Sequence, residues 1–157
     1  MSVRLPDACA RADHVPSASG LQYNSMAIEK EHVLFDRHGK AVYRLCGAVF
    51  YDFKGRPRGF VAGRTVYDLR AQHRGFWQNW VLSDRMRRVV GFGQEARIIG
   101  LTLPPTEIPL LPFANQPAPE TPAEAVDLQY VMYMPAWSMM QLNNLLPIEE
   151  PTEKENQ

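Results

Sequence analysis

The run Val66-Tyr67-Asp68-Leu69-Arg70-Ala71-Gln72-His73-Arg74-Gly75-Phe76-Trp77-Gln78-Asn79-Trp80-Val81-Leu82-Ser83-Asp84 decides the fold. It starts and ends on one pattern, an aspartate closing a short strand-like segment, with an interval of 16 residues. Moving outward, Asp36 and Asp52 keep that interval, so Asp36, Asp52, Asp68 and Asp84 mark four copies. Gly39 and Gly55 stand three residues after the first two aspartates, while Gly59, Gly75 and Gly91 stand seven after the last three, each followed by phenylalanine. Asp-x-x-Gly is a turn signature: the carboxylate caps the turn and the fourth residue takes a positive φ. A second turn signal follows at Gly47, Gly63 and Asn79, asparagine being the residue after glycine that best tolerates left-handed backbone.

Two turns in each copy leave room for two strands of roughly four to six residues, a β-hairpin. A lone hairpin is marginal in water, so the four must share one core. A copy this short cannot make a propeller blade, which needs about 40 residues. The expected fold is an all-β core of four tandem hairpin repeats in pseudo-four-fold arrangement, with a proline-rich linker and short C-terminal helical segments. Side-chain alternation predicts Leu34, Phe50, Val66, Leu82 and Ile98 facing inward on one strand and Phe60, Phe76 and Phe92 on the other. Ala71 and Arg87 replace the turn glycine, which makes the later turns less ideal.

The Tyr67-Asp68 pair, the His73-Arg74-Gly75-Phe76-Trp77 segment and the later Val81-Leu82-Ser83-Asp84 and Val89-Val90-Gly91-Phe92 runs resemble the four-fold β-flower proteins, a family of small bacterial domains. The resemblance covers about residues 33–100. It is loosest in the first copy, where Tyr43 and Arg44 occupy the positions of the glycine-phenylalanine pair. It implies a fold and brings no catalytic residue.

Outside the repeats, residues 1–27 read as a disordered leader without a signal-peptide core, and residues 28–103 as the hairpin domain. Residues 104–122 hold seven of the 13 prolines and read as an extended linker whose Ile108, Leu110, Leu111 and Phe113 could lie along a groove of the β unit. Residues 123–146 form a short helical tail segment with two helix starts, at Thr121-Pro122-Ala123-Glu124 and at Ser138, and residues 147–157 an acidic disordered tail. No run approaches the ~20 apolar residues of a membrane span, which leaves a cytoplasmic protein as the expectation. Net charge is zero, yet residues 31–100 carry thirteen Lys and Arg against six Asp and Glu, and residues 101–157 one against eight. Basic repeats and acidic tail should attract each other.

Candidate chemistry is sparse. The four aspartates could be imagined as a carboxylate ring, but turn-capping explains them without a function. His14, His32, His38 and His73 show no zinc-type spacing, so no metal and no cofactor are expected. Cys9 and Cys46 make no disulfide framework, and their pairing is left open. No nucleophile motif is present, and no catalytic residue is assigned. His73, Arg74, Trp77, Trp80, Arg64 and Arg58 form the candidate binding group, aromatic and basic together. The leading reading is a non-enzymatic interaction module with a protein partner engaged through residues 136–146. The alternatives are a small enzyme with a site near His73 and Trp77, and weak nucleic-acid binding by the basic face of residues 31–100. Oligomeric state does not follow from the sequence.

Overall fold

The computed structural model describes residues 31–128 and 132–148. The expectations for the leader, the acidic tail and the Cys9–Cys46 pairing lie wholly or partly outside these described residues. Eight antiparallel strands follow one another: β1 (Glu31–Phe35), β2 (Ala41–Cys46), β3 (Val49–Asp52), β4 (Pro57–Ala62), β5 (Thr65–Asp68), β6 (His73–Gln78), β7 (Val81–Asp84) and β8 (Arg88–Phe92). Each pairs with the next, and Phe35 of β1 pairs with Phe92 of β8, so the sheet closes into a barrel. A ninth strand, β9 (Met134–Trp137), lies parallel to β8, and one helical turn, α1 (Leu142–Leu145), follows it.

The repeat is visible in the backbone. A register shift falls just before each aspartate, between Leu34 and Phe35, Phe50 and Tyr51, Val66 and Tyr67, and Leu82 and Ser83. In every copy the aspartate carbonyl accepts the N–H three residues on, and Oδ1 accepts the N–H groups two and four residues on. The fourth turn residue has positive φ whether it is Gly39 (83°), Gly55 (84°), Ala71 (67°) or Arg87 (69°), and Gly47, Gly63 and Asn79 share the same half of the map. Turn geometry is therefore maintained even where the favoured residue is missing, at the cost of placing a Cβ in left-handed backbone.

Leu34, Phe50, Val66 and Leu82 meet at the centre with Tyr43, Leu45 and Val90, as their spacing predicts. Two expectations fail. Ile98 is not in a fifth strand but in a loop, and Ile99 beside it is 95% exposed. Phe60, Phe76 and Phe92 are buried but outside the central cluster. The glycine before them faces the axis instead, and alternation sends the phenylalanine to the opposite face of the strand.

The axis is filled by the tail. Leu142, Leu145 and Leu146 are fully buried in the central cluster, and a Cβ on Gly59 or Gly91 would stand 2.9 Å from Leu146 Cδ2 or 2.8 Å from Leu142 Cδ2. Glycine is needed there because a Cβ would also meet backbone, the Tyr67 carbonyl at Gly59 and the Phe35 carbonyl 2.9 Å away at Gly91, with the leucines taking the space beyond. The second expected helix is thus one turn rather than nine residues, and its docking face is the inside of the barrel. The first helix start gives only a turn at Ala123-Glu124, with extended chain on to Leu128.

Candidate functional site

Between β8 and β9 the chain encircles the barrel. Glu107 N–H donates to the Gly39 carbonyl and its carboxylate accepts the Ala41 N–H (2.8 Å). Phe113 and Gln116 N–H donate to Phe53 and Gly55. Asp127 accepts the Arg64 N–H and the Thr65 hydroxyl, and the Tyr67 hydroxyl donates to Val126 O (2.6 Å). Met134 and Ser138 N–H then reach Arg87 and Val89. One repeat after another is visited, so the expected linker is a strap. Its acidic side chains Glu107 and Asp127 meet backbone N–H groups, whereas Arg44 of the barrel holds the side-chain amide of Asn115.

Arg44 is the clearest case. It occupies a phenylalanine position, is fully buried, and donates through Nη2 to Asp52 O (2.8 Å) and to Asn115 Oδ1 on the strap (2.6 Å). Its guanidinium lies 5.6 Å from the rings of Tyr51 and Phe53, with Glu31 3.5 Å from Nη1. Burial lowers the Arg44 pKa against the pull of Glu31, and burial raises that of Glu31. Cys46, under the same asparagine, is not a free thiol.

At the axis, the Tyr43 hydroxyl donates towards the carbonyls of Leu142, Asn143 and Leu146 and accepts the Leu146 N–H. Burial pushes its pKa up to about 12. Arg58 Nε donates to Leu146 O (2.8 Å), Nη2 to Asn143, and Nη1 to Asp52 Oδ2 (3.1 Å). Tyr43 and Arg58 together satisfy carbonyls at the end of α1 that the single turn leaves open.

The second oxygen of each aspartate separates the copies. Asp52 Oδ2 receives Arg56 and Arg58, Asp68 Oδ2 receives Arg74 (3.0 Å), and Asp84 Oδ2 receives the buried Ser138 hydroxyl (2.5 Å). Among the described residues, Asp36 Oδ2 has no donor. Burial raises the Asp52 pKa, but bonds from the Arg56 backbone and side chain and from Arg58 outweigh this, and the net shift is downward. Beside Asp36 lies a cavity of about 160 Å³, walled by Val90, Trp137 and Gln141 among others.

The six candidate residues do not form one site. Arg58 is buried at the axis, and Arg74 answers Asp68. His73 is half-buried between Tyr67 and Phe76, its Nε2 3.1 Å from Gly75 O, and burial lowers its pKa. Trp77 and Trp80 pack edge to face with His32 at the other end of β6, where Trp77 N–H meets Arg64 O. From His73 to Trp77 the strand runs about 13 Å, so two groups of three result. The cavity is at neither. Among the described residues no three His, Cys, Asp or Glu are placed to hold a metal, and no helix is long and apolar enough to cross a membrane.

In the sequence Asp36 reads as a turn cap and Ser138 as a helix start, and Tyr43 stands out only as a departure from the glycine-phenylalanine pair. A signal was present six residues after each aspartate, where the second and third repeats have Arg58 and Arg74 and the first and fourth have Val42 and Val90.

A closed barrel of four hairpins built on one repeated aspartate turn, with its axis filled by a leucine-bearing tail, is a pseudo-four-fold β domain. The chain belongs to the 4-fold beta flower protein family, which matches residues 32–146. The match takes in the strap and the plug as well as the hairpins. No curated protein and no solved structure matches the chain.

Proposed function

We propose that this β-flower is a non-enzymatic interaction module that offers the strap segment 108–113 to a protein partner. The observation carrying this reading is exposure. Ile108, Leu110, Leu111 and Phe113 are 91%, 82%, 74% and 67% exposed on a stretch anchored at Glu107 and at Phe113 and Gln116. They do not lie in a groove of their own barrel, because the anchoring bonds are made by the backbone and leave the side chains outward. Extended chain with Pro109 and Pro112 three apart places both on one edge of a polyproline-type helix, the form that aromatic-lined grooves accept. Anchoring at both ends reduces the ordering cost of binding. Leu142, Leu145 and Leu146 are inside the barrel, which moves the partner surface from residues 136–146 to the strap.

The test is a pull-down with the full chain, a Leu110→Asp/Leu111→Asp variant, and a peptide of residues 105–116 as competitor. The expected result is a protein held by the wild type, released by the peptide and missing from the variant. Capture of the same proteins by both chains, or indifference to the peptide, refutes the reading. Truncation near Leu103 is the wrong comparison, since it would strip three leucines from the core.

A further inference from the structure

We propose that the cavity beside Asp36 is a binding site for a small guanidinium cation. The repeats themselves supply the argument. Where an arginine stands six residues after the aspartate, at Arg58 and Arg74, it closes on the carboxylate of its own turn. Repeat one has Val42 at that position and repeat four has Val90. Two guanidinium groups are thus missing at the junction of the first and fourth repeats, and the cavity of about 160 Å³ is at that junction, with Val90 in its wall. Repeat four replaces its arginine by the Ser138 hydroxyl on Asp84. Repeat one replaces its arginine by nothing. Asp36 Oδ1 is engaged by the His38 and Lys40 N–H groups, and Oδ2 is left without a donor among the described residues.

The walls suit the same chemistry. A guanidinium has five donors and no acceptor, so it needs acceptors and a flat surface. Asp36 and the Gln141 side-chain amide supply acceptor oxygens, and Trp137 supplies an aromatic face. Arg37 shows that the ring takes a guanidinium, its Cζ 5.6 Å from the Trp137 ring centre and its Nη1 3.5 Å from Ser138 O, so a ligand shares that wall with Arg37 and its own anchor is the Asp36 carboxylate. Arg37 and the His38 ring also line the cavity, and Lys40 follows in the same turn. The positive charge of Arg37 and Lys40 works against any cation, so binding depends on the aligned hydrogen bonds that a guanidinium, unlike a cation without donors, can make to the Asp36 carboxylate.

The experiment is a titration of the full, isotope-labelled chain with N-methylguanidinium chloride, read by amide chemical shifts. Tetramethylammonium chloride, a cation without donors, is the control. The wild type is expected to show saturable shifts in residues 36–40, 89–90 and 137–143, with a millimolar dissociation constant in keeping with so small a ligand. Asp36→Asn keeps the side-chain carbonyl that the turn needs and puts an NH₂ where Oδ2 was; it should bind at least about tenfold more weakly. Val42→Arg should weaken binding too, by giving repeat one its own guanidinium. If that variant does not fold, Asp36→Asn alone decides. Non-saturating shifts, equal binding by Asp36→Asn, or the same response to tetramethylammonium each overturn the proposal.

Discussion

Repeats one and two open alike and finish differently. Asp36 and Asp52 hold turns with the same three hydrogen bonds and nearly the same positive φ at Gly39 and Gly55. Six residues on, repeat two has Arg58 and repeat one has Val42; seven on, repeat two has Gly59 and repeat one has Tyr43. Arg58 binds its own aspartate and the end of α1, while Tyr43 reaches α1 from the neighbouring repeat, its ring 5.2 Å below the Arg58 guanidinium. A barrel with glycine at all four axial positions would have a hole, and one helix cannot fill it with four-fold symmetry. The backbone keeps the repeat because the turns keep it. The side chains abandon it where a single-copy segment must be met.

The sharpest way to break this comparison is to remove the arginine from repeat two and from repeat three. Arg58→Met breaks a buried ion pair with Asp52 and leaves the Asn143 and Leu146 carbonyls to Tyr43 alone, and should cost about 3–5 kcal/mol in urea unfolding. Arg74→Met, at a partly exposed pair, should cost no more than about 1 kcal/mol. Equal losses would mean that the axis is no different from the rim. Next comes repeat one. Tyr43→Phe strips the hydroxyl that meets three carbonyls and an N–H of the plug, for an expected loss of about 1–3 kcal/mol. Tyr67→Phe, whose hydroxyl serves only Val126, should lose about 1 kcal/mol or less.

A smaller effect belongs to pH. Burial holds the His73 pKa below its ordinary value, so the unfolded chain takes up the proton first as pH falls. Stability should therefore decline as pH drops through about 6.5 and below, and rise again on return. His73→Gln should flatten that slope, and an unchanged slope would assign it elsewhere. The smallest effect runs the other way. Ala71→Gly and Arg87→Gly relieve left-handed backbone in the third and fourth turns and should each stabilise by about 0.5–1 kcal/mol. Destabilisation would show that these turns are not the less ideal pair.

The barrel was legible because its signals are local. Asp68 caps a turn that ends three residues later, and Val66 and Leu82 show their facing by alternation within a strand of four. The facing of Phe60, Phe76 and Phe92 is not legible because the glycine beside each takes the axial position, where Gly59 and Gly91 meet leucines from far along the chain and Gly75 meets the backbone of Ser83. Ser138 reads as a cap, and its oxygen does accept the Met140 N–H; what the local pattern does not show is that its hydroxyl donates to Asp84, 54 residues earlier. Met134 to Trp137 carry a proline, which hides the strand in the sequence, whereas an edge strand tolerates Pro135 without a missing ladder bond.

By itself the amino-acid order determined the four turns, the hairpins between them and the apolar side chains that must gather at one centre, since each depends on neighbours a few residues apart. Only the folded molecule decided that the proline-rich stretch is a strap with its leucines outward, that α1 stops the axis, and that Asp36 is the one turn aspartate whose Oδ2 has no donor among the described residues. Those outcomes depend on contacts between residues about 50 to 100 positions apart, and such distances carry no period that a linear pattern could record.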